Sequence, residues 1–444
     1  MRLIRAASAA AAGFTAALAL VTGCSSSASK PAAAGSGGSG AQAAAGGKAD
    51  LTFWSWVPNM DKVVDAWNTA HPDIHVTFSK QAGGDSEAEK VLTAAKAHAM
   101  PDVIQAEYQE IPTMVSNNVL ADISKQANAV QGKFPAAVWN QVTLGGSGAT
   151  YGVPQDTAPM LFFYRKSLFA KYGLTVPKTW DDYAKLAAEV RQKAPKSYLG
   201  NFPTVDPGEF GGLAQQAGAK WWSASGTTWG VGINDAATKK VATFWDGLLK
   251  AGQIDPENAW TPAWNKAMDD GTILSWTAAV WGPGTLAGVA ADTKDDWGVA
   301  PLPQWDASSN VTGSWGGSSM AVTTDSKHQD AAAQFVVWMN TDPTALNLLV
   351  NQGGIYPADT DAQAGIAAPT FLPSVTDFAA TAKAAASSAV TATWGPDVST
   401  AYSAYNDVIA KALTNKTALP DAFDAIQSSV VADMKKNGFT VSGS

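Results

Sequence analysis

Cysteine is almost absent from this chain. Cys24 is the only one in 444 residues, so no disulfide can form within it. Histidine is nearly as scarce: His71, His75, His98 and His328 are scattered over helix ends and a strand, where none is placed as a general base. No HExxH, EF-hand, Walker or nucleotide-binding glycine motif occurs, so neither a metal nor a cofactor is expected. Charge is also low. Only 15% of residues are charged, and Lys and Arg (30) are outnumbered by Asp and Glu (38). There is no basic stripe and no aromatic-interleaved Lys/Arg cluster, so nucleic acid is excluded as a partner. The same shortage argues against anionic ligands such as phosphate or sugar acids. Long apolar runs are missing except at 6–21, at about 16 residues short for a spanning helix.

What is abundant is tryptophan: 18 residues, against nine Tyr. Indoles offer large, flat contact area with one donor. Many of them stand beside Gly or Ser in expected loops, which suggests a ligand met by stacking. Hydrophobic residues reach 46%, enough for a globular body and too many for a disordered one.

Residues 1–23 form a signal peptide, with Arg2 and Arg5 ahead of the apolar segment. The formal charge of −8 becomes about −10 once those two arginines are removed. The tetrapeptide Val21-Thr22-Gly23-Cys24 resembles a bacterial lipobox, which would make Cys24 the lipidated mature N-terminus. Residues 24–48 are rich in Ser, Ala and Gly with nothing bulky to bury, and are expected to be a flexible tether.

The body begins with alternating apolar residues at 51–53, a helical face of Val63, Val64 and Trp67, alternation at Ile74, Val76 and Phe78, a helix at 86–99 and a strand at 101–104. Strand, helix, strand, helix, strand at these spacings predicts an α/β fold with a largely parallel sheet. Ligands gather at the carboxyl ends of such strands. That rule nominates Trp54-Ser55-Trp56, Gln105-Ala106-Glu107-Tyr108 and Gln155-Asp156-Thr157. The last of these lies inside YGVPQDTAPMLFFYRKSLF at 151–169, where a polar turn precedes the apolar run 160–164, expected as a strand buried on both faces. By periodicity alone this suits a hinge between lobes as well as a strand–turn–strand within one domain. A helix at 179–193 opens with the capping-box pair Thr179 and Asp182. Residues 198–229 have weak periodicity and are expected to be loop.

The ordered set YGVPQDTAPMLFFYRKSLF, PKTWDDY, PDVIQAEY, the Trp281-Gly282-Pro283 segment, WGGSSMAV and GGIYPA resembles the bacterial extracellular solute-binding proteins, the maltose-binding-protein-like sugar receptors of ABC importers. The resemblance implies a two-lobed periplasmic-binding-protein-like α/β fold with discontinuous lobes joined by hinge crossovers. Lobe 1 would span 49–156 plus 318–355, and lobe 2 would span 157–317 plus 356–444. It also implies a monomer that captures a neutral di- or oligosaccharide between the lobes and delivers it to an ABC permease, anchored to the outer face of the cell membrane through Cys24 alone. Glu107 and Asp156 would accept hydroxyl hydrogen bonds. Trp56, Trp281, Trp315 and Trp394 would supply aromatic surface, Trp315 foremost, with Tyr108 and Tyr356 in reserve. Two alternatives stay open: a surface carbohydrate-active enzyme using Glu107 and Asp156 as its carboxylate pair, and a receptor for a non-sugar solute such as a polyamine.

Overall fold

The structure is a computed structural model and describes residues 48–146 and 148–442. The expected signal peptide, Cys24 and most of the expected tether lie outside the described residues. The strands among the described residues are β1 (Ala49–Ser55), β2 (Ile74–Lys80), β3 (Val103–Glu107), β4 (Val153–Pro154), β5 (Met160–Arg165), β6 (Trp222–Ser225), β7 (Thr228–Val231), β8 (Ser275–Ala279), β9 (Trp297–Pro301), β10 (Ser318–Val322) and β11 (Thr440–Ser442).

Alternation at the start of the body turns Ala49, Leu51, Phe53 and Ser55 inward along β1. This strand pairs in parallel with β2 and β3, giving a sheet of order β2-β1-β3-β10-β4. Here the parallel expectation ends, because β10 re-enters the sheet antiparallel to both β3 and β4. The helices Met60–Ala70 and Gln329–Thr341 cover it, and Phe53, Trp67, Val103, Met320 and Phe335 pack into one core. Trp67 and Phe53 both meet the Phe335 ring edge-on, at 5.2 and 5.4 Å.

A second core forms around β5. It is the middle strand between β8 and β9, each antiparallel, and its bulky apolar residues are buried because both faces are packed, Phe162 against Tyr183 and Phe163 beside Gly282. The helix Lys166–Tyr172 follows and stops at Gly173, whose φ of 60° closes it in the left-handed region. The helix Trp180–Lys193 then starts at a complete capping box: Thr179 accepts from the Asp182 amide, and the Asp182 carboxylate accepts from the Thr179 amide. That cap is worth about 1 kcal/mol and fixes where Trp180 and Tyr183 enter the core, beside Trp245 and Phe162.

One expectation is corrected. The segment 198–229 is not loop: it holds the helix Pro207–Gln216 and the β6–β7 hairpin, whose outer edge β11 extends. The helix is buried nearly all round, so it lacks the one-sided pattern that marks a surface helix.

The chain passes between the two cores at 154–158, at 315–318 and at 355–358, and these passages are bonded to one another. The Gln155 amide donates to the Ser318 carbonyl at 2.9 Å, the Thr157 amide to the Tyr356 carbonyl at 3.0 Å, and the Ala358 amide to the Gln155 carbonyl at 2.9 Å. Gly317 lies in the second passage with φ of 95°, and a Cβ there would stand 3.0 Å from the Tyr108 ring, so the close approach requires glycine.

Candidate functional site

Strands β1 and β3 end side by side, and β10 begins next to them. Their ends are joined by a buried polar chain. Ser55 donates to Gln105 Oε1 at 2.6 Å, and Gln105 Nε2 donates to Ser318 Oγ at 2.8 Å and to Gln155 Oε1 at 3.1 Å. Ser318 in turn donates to Asp156 Oδ1 through its amide at 2.6 Å and its hydroxyl at 2.8 Å. Each buried polar group here is satisfied by its neighbour, which removes the penalty of about 1–3 kcal/mol that an orphan would carry. Such fully paired networks rigidify their surroundings.

Above this floor opens a cavity of about 510 Å³, within the range of small-molecule sites. Trp56, Glu107 and Gln109 stand on one wall, following β1 and β3. Asp206, Trp281, Trp315 and Tyr402 stand on the other, from segments around the second core. Three lining residues are carboxylates, and none is Lys, Arg or His.

Glu107 accepts a hydrogen bond from Gln109 Nε2. Gly316, with φ of 87°, lies close to both walls, since a Cβ there would be 3.7 Å from the Glu107 carboxylate and 3.8 Å from the Trp281 indole nitrogen. Asp156 differs from its expected role. Oδ1 is committed to Ser318, so the carboxylate braces the crossovers where a freely projecting side chain was expected. Burial pushes its pKa up from 3.8 to about 6, against the opposing pull of the Ser318 bonds.

The opposite wall is a nest of indoles. Trp281 meets Trp315 edge-on at 4.7 Å and donates from Nε1 to the Trp315 carbonyl at 3.1 Å. Trp276 packs edge-on behind both, at 5.8 and 5.9 Å. Trp315 is only 7% exposed, and a Cβ on Gly208 would press to 2.9 Å from its ring. Its faces are therefore largely spent on the protein, whereas Trp56 and Trp281 are half-buried and keep surface for a ligand.

Three of the sequence candidates stand elsewhere. Trp394 is tilted against Trp222 at 6.1 Å and lines a separate cavity of about 490 Å³. Tyr108 is buried and donates from its hydroxyl to the Asp156 carbonyl at 2.9 Å, a brace for the same crossover. Tyr356 lies on the wall of an adjoining cavity, with burial raising its pKa to about 12.

Two residues escaped the sequence reading. Asp206 caps the helix Pro207–Gln216, accepting from the Glu209 amide at 2.9 Å with Oδ1, and it accepts from Trp260 Nε1 at 2.8 Å with Oδ2. The Asp-Pro pair at 206–207 is a helix-start signature that marks this position. Trp260 is 46% exposed, has φ of 67°, and sits edge-on to Trp315 at 6.1 Å. A bulky residue in the left-handed region carries strain of about 1–3 kcal/mol, which clusters at functional sites. No local pattern announces it. Behind Asp206, the fully buried Glu209 accepts from Thr277 Oγ1 at 2.6 Å, and burial, then the Asp206 charge, holds its pKa well above the usual carboxylate range.

Among the described residues, no group of three or more His, Cys, Asp or Glu is gathered closely enough to hold a metal ion, and no helix is long and apolar enough to cross a membrane.

Comparison with known proteins identifies the family and the fold. Residues 53–346 match the family described as bacterial extracellular solute-binding protein. The arabinooligosaccharide-binding protein of Bacillus subtilis (strain 168) is 23% identical over 305 residues, 66% of this chain and 69% of that protein. The diacetylchitobiose binding protein of Streptomyces coelicolor is 24% identical over 257 residues, 56% of this chain and 58% of that protein. Among solved structures, the galacto-N-biose-/lacto-N-biose I-binding protein of the ABC transporter from Bifidobacterium longum, in complex with lacto-N-biose, superposes with a TM-score of 0.81 at 28% identity, over 89% of this chain and 99% of that one. The chain belongs to the bacterial extracellular solute-binding protein family and carries its two-lobed α/β fold, the fold of a binding protein and not of an enzyme.

Proposed function

We propose that this protein captures a neutral di- or oligosaccharide in the cleft between two lobes, 49–156 plus 318–355 and 157–317 plus 356–444, and delivers it to an ABC permease. The observation that carries this reading is the composition of the cavity wall: carboxylates and indoles, with no cationic side chain among the lining residues. A sugar presents hydroxyl donors on its edge and C–H groups on its faces. Glu107 meets the donors as a charged acceptor beside the Asp206 carboxylate, which the Glu209 amide and Trp260 Nε1 hold in place, and Trp56 and Trp281 meet the faces. Asp156 serves the site by fixing Ser318. Trp315 serves it by backing Trp281, and Trp260 by holding Asp206. The names of the relatives, which bind arabinooligosaccharide, diacetylchitobiose and lacto-N-biose, support a carbohydrate ligand. The protein would act as a monomer, and lipidation at Cys24 would hold it at the outer face of the membrane within reach of the permease.

The lack of cationic residues in the lining also favours a second reading, in which a polyamine is the ligand and the three carboxylates neutralise it. Calorimetric titration of the purified protein against neutral disaccharides, neutral oligosaccharides, polyamines and amino acids separates the two. Saturable binding of a neutral sugar, recovered intact, is expected. Binding of spermidine or putrescine with no response to any sugar would overturn the carbohydrate reading.

A further inference from the structure

The chain passages are covalent links between the two cores. Beside them, side chains beyond β3 reach across to the stretch 392–399. Thr113 Oγ1 donates to the Pro396 carbonyl at 3.1 Å, and Ser399 Oγ donates to Glu110 Oε2 at 3.2 Å. Gln141 Nε2 donates to the Ala392 carbonyl at 3.1 Å.

The partners in each bond belong to different cores. Glu110, Thr113 and Gln141 stand on segments whose neighbours Ile111, Met114 and Val142 pack into the first core. Ser399 opens the helix Val398–Asn415, which turns Val398, Ala401 and Tyr402 into the second. Glu110 and Thr113 are 2% and 7% exposed, so water does not compete for these bonds and the low dielectric strengthens them.

Their position relative to the cavity matters. Gln109, directly before Glu110, lines the first wall, and Tyr402, on the same helical face as Ser399, lines the second. Glu110, Thr113, Gln141 and Ser399 do not line that cavity. The three bonds therefore fix the spacing of the walls without touching what lies between them. The passages survive any movement of one core relative to the other, whereas these bonds must break when the cores part.

We propose that Glu110, Thr113 and Gln141 form with 392–399 a clasp that locks the closed lobes and sets how fast ligand leaves. The clasp rests on the hinged-cleft reading given above and adds a rate to it. Sugar enters an open cleft before the clasp forms, so association does not depend on it. Departure requires that the clasp break first, so its loss appears in dissociation, the step in which most affinity differences between related complexes reside. Glu110, Thr113, Gln141 and Ser399 act as positioning residues.

Stopped-flow tryptophan fluorescence on the purified protein tests this, with lacto-N-biose, β-1,6-galactobiose, arabinobiose and maltotriose as probes. Thr113→Val keeps the shape of the side chain and removes its donor, and Ser399→Ala removes the hydroxyl. For a probe that binds, each is expected to speed dissociation about fivefold, and the double variant about twentyfold, with association within about twofold. Ser399→Thr restores a hydroxyl and is expected to restore slow release. Thermal unfolding without sugar is expected to be unaltered, because the clasp forms only on closure; a merely structural contact would lower it. Unchanged dissociation in the double variant, or release from Ser399→Thr as fast as from Ser399→Ala, overturns the clasp and leaves the carbohydrate reading standing. Binding of spermidine and of none of the sugars overturns the carbohydrate reading, and the same variants measured with spermidine then decide the clasp. Failure of every probe, spermidine included, to bind overturns both.

Discussion

The wall that follows β1 and β3 and the wall around Trp281 face the same cavity with opposite means. On the first, Glu107 and Gln109 stand at the end of a sheet whose strand ends are tied together by Ser55, Gln105, Gln155 and Ser318. Its directions are set by hydrogen bonds. On the second, five tryptophans, Trp260, Trp264, Trp276, Trp281 and Trp315, lean edge-on or tilted against one another at 4.7 to 6.1 Å. Its shape is set by packing. Hydrogen bonds to a charged acceptor discriminate between hydroxyl arrangements, while aromatic area supplies affinity with little regard to them. Each wall also carries a minor element of the other kind, Trp56 on the first and Asp206 on the second, and the hinge motion we propose, the type by which such two-lobed proteins respond to ligand, would bring both to one sugar.

The sharpest way to break this comparison is to remove one element from each wall. Trp281→Ala is expected to cost about 2–4 kcal/mol of sugar binding, as buried aromatic anchors do, and to weaken a whole panel of sugars by similar factors. Glu107→Ala is expected to cost about 1.5–3 kcal/mol, with losses that differ from one sugar epimer to the next. Trp394→Ala, in the other cavity, is the control and should leave affinity within about twofold. Calorimetry over several epimeric disaccharides measures all three. Equal losses across epimers for Glu107→Ala would erase the distinction between the walls.

A smaller effect is expected at the floor. The Asp156 carboxyl has a pKa of about 6 in the folded protein against an ordinary 3.8, because burial disfavours its charge. A group raised in this way favours the fold while protonated, and that contribution is lost as pH rises from about 4 through 6. Asp156→Asn keeps an acceptor for Ser318 and removes the charge. Its stability should fall less than that of the unaltered protein between pH 4 and 7, and its sugar affinity at pH 7 should change by less than about 0.5 kcal/mol. Thermal unfolding across that range checks the first expectation, and a parallel fall in both proteins would show that Asp156 is not the titrating group.

How much of this was legible depended on whether a residue's role left a local trace. The run 160–164 is legible as a buried strand because both faces of the sheet are packed at Phe162 and Phe163, which leaves no polar face to interrupt the apolar run. Gly173 and the Thr179–Asp182 pair could be identified because caps are written in neighbouring residues. The helix Pro207–Gln216 was hidden by its burial on every side, and only Asp206-Pro207 could have betrayed it. In the candidate site, strand ends point to Trp56 and Glu107, and the structure places both on the wall of one cavity. Trp394 lies against Trp222 and on a different cavity, and no local pattern tells such an indole from one on the Glu107 wall. Trp260 was missed because its left-handed backbone and its bond to Asp206, 54 residues away, are tertiary facts.

The central claim is that ligand is shared by the two walls, so that a bound sugar holds the lobes together without being altered. Small-angle scattering of the purified protein, without sugar and then saturated with the disaccharide or oligosaccharide found by calorimetry, tests it most directly when the sugar is recovered afterwards. A smaller radius of gyration with sugar and quantitative return of the intact ligand are expected. An unchanged radius at saturation, or a sugar returned hydrolysed, would contradict it.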